Sequence, residues 1–196
     1  MKPVVTQLSD LDLNGNYSYA DYLSWGFEEM VELIKGKIFK MSPAPARYHQ
    51  RVSLNLSSLL HGKSKGQKCQ VYSAPTDVRL FTKGMKDEQI TTVIQPDVFI
   101  VCDPAKLDDR GCLGSPDFIA EILSPSTASK DLKTKFELYQ ESGVGEYWVV
   151  YPGEETIHVF LLENGLYKAS GIYVNAGPIP VHTLNVELEL AEIFEQ

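Results

Sequence analysis

The segment from Asp117 to Leu123 constrains the fold of this chain more than any other stretch. It reads Asp-Phe-Ile-Ala-Glu-Ile-Leu, and apart from Glu121 its interior positions are apolar on both parities. Such a run is typical of a central strand covered on both faces. A carboxylate buried there costs about 3–5 kcal/mol unless a cation or hydrogen bonds offset the cost. Glu121 is therefore satisfied by a structural partner, exposed at a strand end, or part of a functional site.

A second acid, Asp97, stands at the start of another short apolar run, residues 98–101. The connection between the two runs is rich in Asp, Gly and Pro, which is typical of a link between neighbouring strands. Two acids side by side on adjacent strands raise each other's pKa unless a divalent cation lies between them. Oxygen ligands without Cys or His nearby favour magnesium or manganese over zinc. The pattern predicts that Asp97 and Glu121 bind Mg²⁺ or Mn²⁺.

A lysine follows on the next predicted element. Residues 129–142 predict a helix that ends before Gly143. Its apolar stripe contains Leu132, Phe136 and Tyr139, and Lys135 lies at the edge of this stripe. Lys135 is therefore expected to lean toward the sheet. A lysine that only extends along a packed face is the structural alternative, and the two acids on the preceding strands favour the functional interpretation.

Composition limits the classes of partner. The chain has 196 residues, a length expected for one domain, and a net charge of −8. This charge argues against strong non-specific binding of nucleic acid, although a local basic patch would still permit a nucleic-acid enzyme. Small basic clusters occur at Lys63, Lys65 and Lys68 and at Lys83 and Lys86, and a solvated surface is the simpler interpretation of each.

Location and redox state are also predicted. The chain has no apolar run near 18 residues and no apolar core of a signal peptide, so a cytoplasmic protein with no membrane partner is expected. Residues 1–16 are polar and are predicted to be flexible. Three cysteines without CxxC spacing, Cys69, Cys102 and Cys112, fit reduced structural thiols better than a disulfide or a zinc site.

The remaining pattern predicts a mixed sheet with helices packed on it. A short helix is expected within residues 17–25, and a hairpin within 30–41 around Lys35-Gly36, with Glu32 as a third acid among strand residues. A helix over residues 47–60 carries His49 beside its buried face. Asn164-Gly165 predicts a later hairpin, and strict alternation over residues 184–190 predicts a half-exposed terminal strand.

As an ordered set, these motifs resemble the PD-(D/E)xK nuclease superfamily. More specifically, they resemble the Uma-two (Uma2) family of restriction endonucleases, which is widespread in bacteria. The stretches that carry the resemblance are Val31 to Ile38, Met41-Ser42-Pro43 with His49, Gln95 to Val98, Glu121 to Thr127, Asp131, Lys135, Tyr139, Gly143-Val144 and Glu146 to Val150. Leu123 stands where the superfamily usually has its lysine, so the resemblance implies that Lys135 takes that role from the adjacent helix. Tyr151-Pro152 stands where the family usually has Asp-Pro.

The resemblance implies an α/β (α+β) fold with a restriction-endonuclease-like mixed central sheet, flanking helices and an added C-terminal antiparallel hairpin region. It implies a magnesium-dependent endonuclease that hydrolyses DNA phosphodiester bonds, with Asp97 and Glu121 as metal ligands and catalytic residues and Lys135 beside them. It also implies Glu32 and His49 as further catalytic residues. DNA is the expected transient partner, and a homodimer would suit cleavage of both strands. The alternative is a catalytically inactive nuclease fold that serves in nucleic-acid binding or protein assembly, in which Glu121 and Lys135 form a buried ion pair without metal.

Overall fold

The computed structural model describes residues 4–41, 46–124 and 130–196. Within these ranges the chain forms four α-helices, α1 (Tyr19–Tyr22), α2 (Arg47–Ser64), α3 (Lys130–Ser142) and α4 (Leu190–Phe194). Several motif positions of the sequence analysis, namely Ser42, Pro43, Pro125, Ser126, Thr127 and the predicted helix start Ser129, lie outside the described residues.

Fourteen β-strands complete the described part of the chain. They are β1 (Val31–Ile34), β2 (Lys37–Lys40), β3 (Gln70–Ser73), β4 (Val78–Arg79), β5 (Val93–Ile94), β6 (Val98–Val101), β7 (Leu107–Asp108), β8 (Gly111–Leu113), β9 (Phe118–Ile122), β10 (Glu146–Tyr151), β11 (Thr156–Glu163), β12 (Leu166–Val174), β13 (Pro178–Val181) and β14 (Val186–Glu189). One sheet has the order β2-β1-β5-β4-β8-β7, and a second has the order β12-β11-β10-β9-β6-β3. The pair β13-β14 stands apart from both as a two-stranded antiparallel hairpin.

Strand β9 lies inside the second sheet, as the sequence predicts. It pairs in parallel with β10 and antiparallel with β6, and all five of its residues are buried. Alternate residues enter two different cores. Phe118, Ala120 and Ile122 pack with α2 and α4, whereas Ile119 packs with α3. Glu121 follows the alternation and faces α3, which connects β9 to β10.

The two hairpins predicted from glycine-containing turns are confirmed. Lys35 and Gly36 have φ values of 49° and 81°, and Asn164 and Gly165 have values of 53° and 80°. A two-residue turn of this kind needs positive φ at both positions, which Gly and Asn adopt most readily. The first hairpin brings Glu32 into a strand whose four residues are all buried.

Helix α2 extends four residues beyond its predicted end. Its buried stripe contains Val52, Leu56 and Leu60, as the periodicity indicates. His49 belongs to the same buried stripe instead of flanking it, with a relative exposure of 9%. The buried face of α2 therefore extends to its first turn.

One prediction about the cysteines is wrong. Cys69 and Cys102 form a disulfide, and Cys112 is a buried free thiol. The two paired cysteines flank the antiparallel pair Gln70↔Val101, one residue beyond it on each strand. Strand pairing thus places them opposite each other, which sequence spacing cannot reveal.

Both ends of the chain differ from the predictions of a flexible segment over residues 1–16 and of a strand over residues 184–190. Leu8 is buried in a short 3-10 helix, Leu8–Asp10, and Val5 forms a β-bridge with Trp25. At the other end, the alternating run forms β14 and then turns into α4. Leu190 begins that helix and is buried against α2 and β14 in the same core. The mixed α+β class with a C-terminal hairpin is confirmed. No helix among the described residues has both the length and the apolarity needed to cross a membrane.

Candidate active site

Lys135 joins two acidic residues from different sheets. Its Nζ atom lies 2.9 Å from Oε1 of Glu121 on β9 and 3.0 Å from Oε1 of Glu32 on β1. The three side chains are 15%, 10% and 5% exposed, respectively. Residues more than a hundred positions apart in the chain thus meet where α3 covers the junction of the two sheets.

Two further groups hold these carboxylates in place. Tyr139, one helical turn after Lys135, donates its hydroxyl hydrogen to Oε1 of Glu121 at 2.5 Å. The backbone N–H of Gln95 donates to Oε1 of Glu32 at 3.0 Å. From the sequence, Tyr139 is expected in the apolar stripe of the helix and belongs to the residues that carry the family resemblance, but no role in the site was predicted for it. Its spacing of four residues from Lys135 was the available signal, because such residues share a helix face.

Asp97 lies beside Glu121 at the start of β6. The antiparallel register pairs Val98 with Ala120, so continuing it by one residue aligns Asp97 with Glu121. Side chains in such cross-strand positions have Cβ atoms about 5 Å apart. Oδ2 of Asp97 accepts the backbone N–H of Ile122 at 2.7 Å. The Asp97 side chain is thereby held at the strand end, with 20% exposure.

His49, on helix α2, contacts Asp97. Its Nε2 atom lies 3.5 Å from Oδ1 of Asp97, and its Nδ1 atom has no hydrogen-bond partner within the described ranges. Burial lowers the pKa of His49, but the Asp97 carboxylate outweighs this effect and the net shift is upward. A hydrogen bond and a negative charge beside an imidazole both favour its protonated form.

The electrostatics of the cluster are dominated by excess negative charge. Burial raises the pKa of Glu121 to about 7, with Asp97 and Glu32 adding to the rise and Lys135 opposing it. Burial would lower the pKa of Lys135, but the two carboxylates in contact with it raise the pKa above its usual value. Lys135 is therefore a permanent cation. The ammonium contacts two carboxylates, and the third, Asp97, lies beside Glu121 and contacts His49.

The donor set suits a hard divalent cation, because carboxylate oxygens are the ligands that Mg²⁺ and Mn²⁺ prefer. The excess negative charge would also be reduced by such an ion. In the part of the chain that the structure describes, however, no group of three or more acidic, histidine or cysteine side chains has the arrangement to hold a metal ion. The Lys135 ammonium contacts both Glu32 and Glu121, so these two acids already share one cation.

A second polar cluster, centred on Asp77, is connected to Glu32 through Gln95. Asp77 accepts hydrogen bonds from the hydroxyl groups of Tyr19 and Tyr22 and from Nε2 of Gln95. Gln95 therefore connects the Asp77 cluster to Glu32, with its side chain in the former and its backbone N–H at the latter. This link fixes the backbone immediately before Asp97.

The sequence-predicted residues thus form two adjoining groups. Lys135 contacts Glu32 and Glu121 directly, and His49 contacts Asp97, which the strand register places beside Glu121. The lysine comes from the helix after β9. Leu123, at the strand end, packs partly buried against the α3 core.

Comparisons with known proteins identify the family of the chain. The model of the Uma2 family, described as "Putative restriction endonuclease", matches residues 19–192. Two uncharacterized proteins of Synechocystis sp. are 28% and 30% identical over 121 and 114 residues, which is 61% and 57% of this chain. Each match spans 60% of the relative's own length.

A solved structure shares the fold. It is the crystal structure of a putative nuclease belonging to DUF820 from Anabaena variabilis, with a TM-score of 0.70 and 17% identity. The match covers 90% of this chain and 97% of that one. At this identity the likeness establishes a common fold, whereas membership rests on the family model. This chain belongs to the Uma2 family, the family described as "Putative restriction endonuclease".

Proposed function

We propose that this protein is a metal-dependent nuclease that hydrolyses phosphodiester bonds of DNA at the cluster of Glu32, Asp97, Glu121 and Lys135. The family supports a nuclease acting on nucleic acid. The proposal of metal-dependent hydrolysis at this site rests on one observation. Three carboxylates and one lysine meet at the junction of two sheets, with negative charge in excess. A cluster in which acids outnumber cations is costly for a purely structural purpose, because burying an ionised carboxylate without a balancing cation costs several kcal/mol, on the order of 3–5.

Asp97 and Glu121 are the proposed ligands of a magnesium or manganese ion, with Glu32 as a further carboxylate nearby. When bound, such an ion supplies Lewis-acid stabilisation of the negative charge that develops on the scissile phosphate. The backbone N–H of Ile122 and the ring of His49 hold the Asp97 carboxylate in a fixed orientation. Fixed orientation of acidic groups before the reaction lowers the reorganisation that the transition state requires.

Lys135 contributes a fixed positive charge. Because two carboxylates raise its pKa, it keeps its proton at neutral pH and is unsuited to act as a base. Its ammonium group can instead donate hydrogen bonds to the attacking water and to a phosphate oxygen. Tyr139 orients the Glu121 carboxylate, because it donates to the same oxygen that Lys135 contacts.

A second candidate function is favoured by one observation. Lys135 already bridges Glu32 and Glu121, and no three-ligand metal cluster occurs among the described residues. This geometry also suits an inactive nuclease fold that binds nucleic acid or assembles with other proteins. The two candidate functions predict different responses of the folded protein. A divalent ion stabilises the nuclease, because it binds only the folded state, and leaves the stability of the inactive fold unchanged.

Titration with MnCl₂ separates the candidates. We expect the midpoint of thermal unfolding of the wild type to rise with Mn²⁺ and the protein to cleave plasmid DNA under the same conditions. Asp97→Asn should lose both responses, since it removes a charged ligand. Glu137→Gln is the matched control, because Glu137 is exposed on α3 and pairs only with Lys133 within the described residues. A wild type whose midpoint and cleavage do not respond to Mn²⁺ would favour the inactive fold.

A further inference from the structure

The face of the second sheet that carries Glu121 continues across three strands. Strand pairing places Glu121 opposite Val149, Val149 opposite His158, and His158 opposite Ile172. Side chains at paired positions point to the same face of a sheet, because they alternate along each strand. Neighbouring strands lie about 4.8 Å apart, so the backbone of His158 is about 10 Å from that of Glu121.

Four side chains form a partly exposed patch on this face. Two residues further along each strand, the face continues with Tyr151, Thr156 and Val174. The rings of Tyr151 and His158 lie next to each other, with centroids 4.8 Å apart. Both side chains are half-buried, whereas Ile172 and Val174 are 63% and 46% exposed. We call Tyr151, His158, Ile172 and Val174 the Tyr151 patch.

The Tyr151 patch and Asp97 lie at the same end of the sheet. β10 runs parallel to β9 and β6 runs antiparallel to it, so Asp97, the residue before β6, lies where β9 and β10 end. The backbone N–H of Ile122 donates to Asp97, and that of Leu123 donates to the carbonyl oxygen of Val150 at 2.9 Å. Tyr151 follows as the last residue of β10. The end of the sheet therefore connects Asp97 to Tyr151 without leaving the surface on which Glu121 lies.

Helix α3 covers the neighbouring part of this face. Phe136 of α3 packs edge-to-face against Tyr147 and Phe160, which lie on the same face as the patch but nearer the opposite end of the sheet. Within the described residues, Ile172 and Val174 remain uncovered. Neighbouring apolar side chains with this exposure beside a polar cluster are typical of a surface that binds a ligand.

A second copy of the chain is the alternative occupant, because β12 is the edge strand of the sheet. The edge is poorly suited to strand pairing, since a bulge at Ser170 interrupts its register with β11. The backbone N–H of Tyr167 already donates to Oε1 of Gln140 at 2.7 Å. Pairing at the edge would also leave Tyr151, which lies two strands inside, without a contact. A ligand that lies on the face of the sheet fits these observations better.

We infer that the Tyr151 patch stacks unpaired bases of the DNA strand whose phosphate lies at Asp97 and Glu121. This inference rests on the proposed nuclease function and names its substrate class, which is single-stranded DNA or duplex DNA that has opened at the point of cleavage. Aromatic side chains stack on bases of any sequence, and they add affinity without cations, which suits a chain with a net charge of −8. A paired base is excluded, because its faces are already stacked on its neighbours in the duplex.

The test measures DNA binding in EDTA, so that affinity is read without metal-dependent hydrolysis. Fluorescein-labelled oligo(dT) of 20 nucleotides and a duplex of 20 base pairs are titrated with wild type, Tyr151→Ala and Tyr151→Phe at several salt concentrations. Wild type should bind the single strand about tenfold more tightly than the duplex. Tyr151→Ala should weaken single-strand binding about tenfold, whereas Tyr151→Phe keeps the ring and should bind within about twofold of wild type. The slope of log Kd against log salt should not change, because no charge is removed.

The sheet supplies matched controls. Tyr173→Ala removes the same side chain from β12 on the opposite face of the sheet, where it packs against the core, and should change Kd by less than about twofold. Ile172→Ser is a second variant of the patch at an exposed position that leaves the fold intact, and it should weaken single-strand binding about threefold. Its control is Leu166→Ser, which is 61% exposed at the other end of the same strand.

Four results would overturn the inference. Three concern binding: a duplex bound as tightly as the single strand, a Tyr151→Ala variant that binds like wild type, or a Tyr173→Ala control that loses as much affinity as Tyr151→Ala. The fourth comes from sedimentation velocity, where a wild-type dimer that dissociates in Ile172→Ser would assign the patch to a second copy of the chain.

The thermal response to Mn²⁺, measured on the same proteins, keeps this test separate from the proposed function. If wild type responds to Mn²⁺ but does not prefer the single strand, only the role of the Tyr151 patch is wrong. If wild type does not respond to Mn²⁺ yet binds the single strand through Tyr151, metal-dependent hydrolysis fails and the patch stands as a binding surface. If wild type neither responds to Mn²⁺ nor binds the single strand, both proposals fail.

Discussion

Glu121 and Glu146 are buried carboxylates on neighbouring strands of the same sheet, and their surroundings are very different. Glu146 begins β10 and is 1% exposed, whereas Glu121 on β9 is 8% exposed. Both oxygens of Glu146 accept two hydrogen bonds each. The donors are Trp148 Nε1 at 2.8 Å, His182 N at 3.2 Å, Thr183 N at 2.7 Å and Thr183 Oγ1 at 2.8 Å. Glu146 thus joins β10 to the turn that connects β13 and β14.

Glu121 has fewer hydrogen-bond donors, and it shares one of them, Lys135, with Glu32. The contacts from Lys135 and Tyr139 both use Oε1, and two other carboxylates stand close enough to raise its pKa. A carboxylate with four donors is a structural element, because its burial is fully compensated. A carboxylate that shares one cation with a second acid retains capacity for another ligand. The pattern of hydrogen-bond satisfaction, more than burial itself, therefore distinguishes the proposed metal ligand Glu121 from the structural acid Glu146.

The largest expected difference between the two acids is in catalysis. Glu121→Gln should reduce Mn²⁺-dependent plasmid cleavage about a thousandfold or more, because a charged ligand is lost from the reacting centre. Glu146→Gln, assayed at a temperature where it is fully folded, should keep its activity per folded molecule. Rates are measured by the disappearance of supercoiled plasmid on a gel. Equal residual cleavage by Glu121→Gln and wild type would remove Glu121 from the mechanism.

The next difference is in stability. Glu146→Ala leaves buried donors on Trp148 and Thr183 without an acceptor, so we expect a loss of about 3–4 kcal/mol in the free energy of unfolding. Urea denaturation followed by tryptophan fluorescence gives this value. Glu137→Gln, at an exposed site, should change it by less than about 0.5 kcal/mol. A loss below about 1 kcal/mol for Glu146→Ala would contradict the structural role.

The pH dependence of stability should also distinguish Glu121. Because the folded state raises its pKa from 4.5 to about 7, the folded protein binds the proton more tightly than the unfolded chain does. The resulting stabilisation is complete below pH 4.5 and is lost as pH rises toward 7, a change of up to about 3 kcal/mol. In EDTA, the unfolding free energy of wild type should fall over this range relative to that of Glu121→Gln. Parallel curves for the two proteins would show that the pKa of Glu121 is not raised.

The smallest expected effect concerns two buried tyrosines, Tyr139 and Tyr147, whose ring centroids lie 5.1 Å apart. Tyr139 donates to Glu121, whereas the hydroxyl of Tyr147 has no partner within the described residues. Tyr139→Phe should cost about 1–2 kcal/mol because it removes a hydrogen bond to a carboxylate. Tyr147→Phe should be neutral or slightly stabilising, because it removes a buried polar group that is not satisfied. Thermal unfolding of both variants measures the contrast, and equal losses would argue against a special role of Tyr139.

Much of the fold follows from local sequence patterns. The apolar run of β9, the glycine turns at Lys35-Gly36 and Asn164-Gly165 and the buried stripe of α2 were all predicted and are present. These features depend on sterics and periodicity within about ten residues, which the sequence displays directly. The predicted strand ends before Leu190. Leu190, Ile193 and Phe194 all bury against the core, and their spacing of three and four residues fits a helix instead of a strand.

The candidate site was predictable in its residue types but not in its contacts. Asp97, Glu121 and Lys135 stand out because acids at strand starts and a lysine near an apolar stripe are unusual. That Lys135 bridges Glu32 and Glu121, that Tyr139 donates to the same oxygen and that Cys69 pairs with Cys102 depend on how distant strands pair and where α3 packs. No local pattern contains that information.

The sequence by itself determined where acids enter buried strands and which helix follows them, because polarity and periodicity are properties of a short segment. The tertiary structure alone decided which of those acids is satisfied. Glu146 finds its donors at Thr183, whereas Glu121 meets a lysine shared with Glu32. The reason is that the cost of burying a charge depends on every group around it, and these groups come from distant parts of the chain.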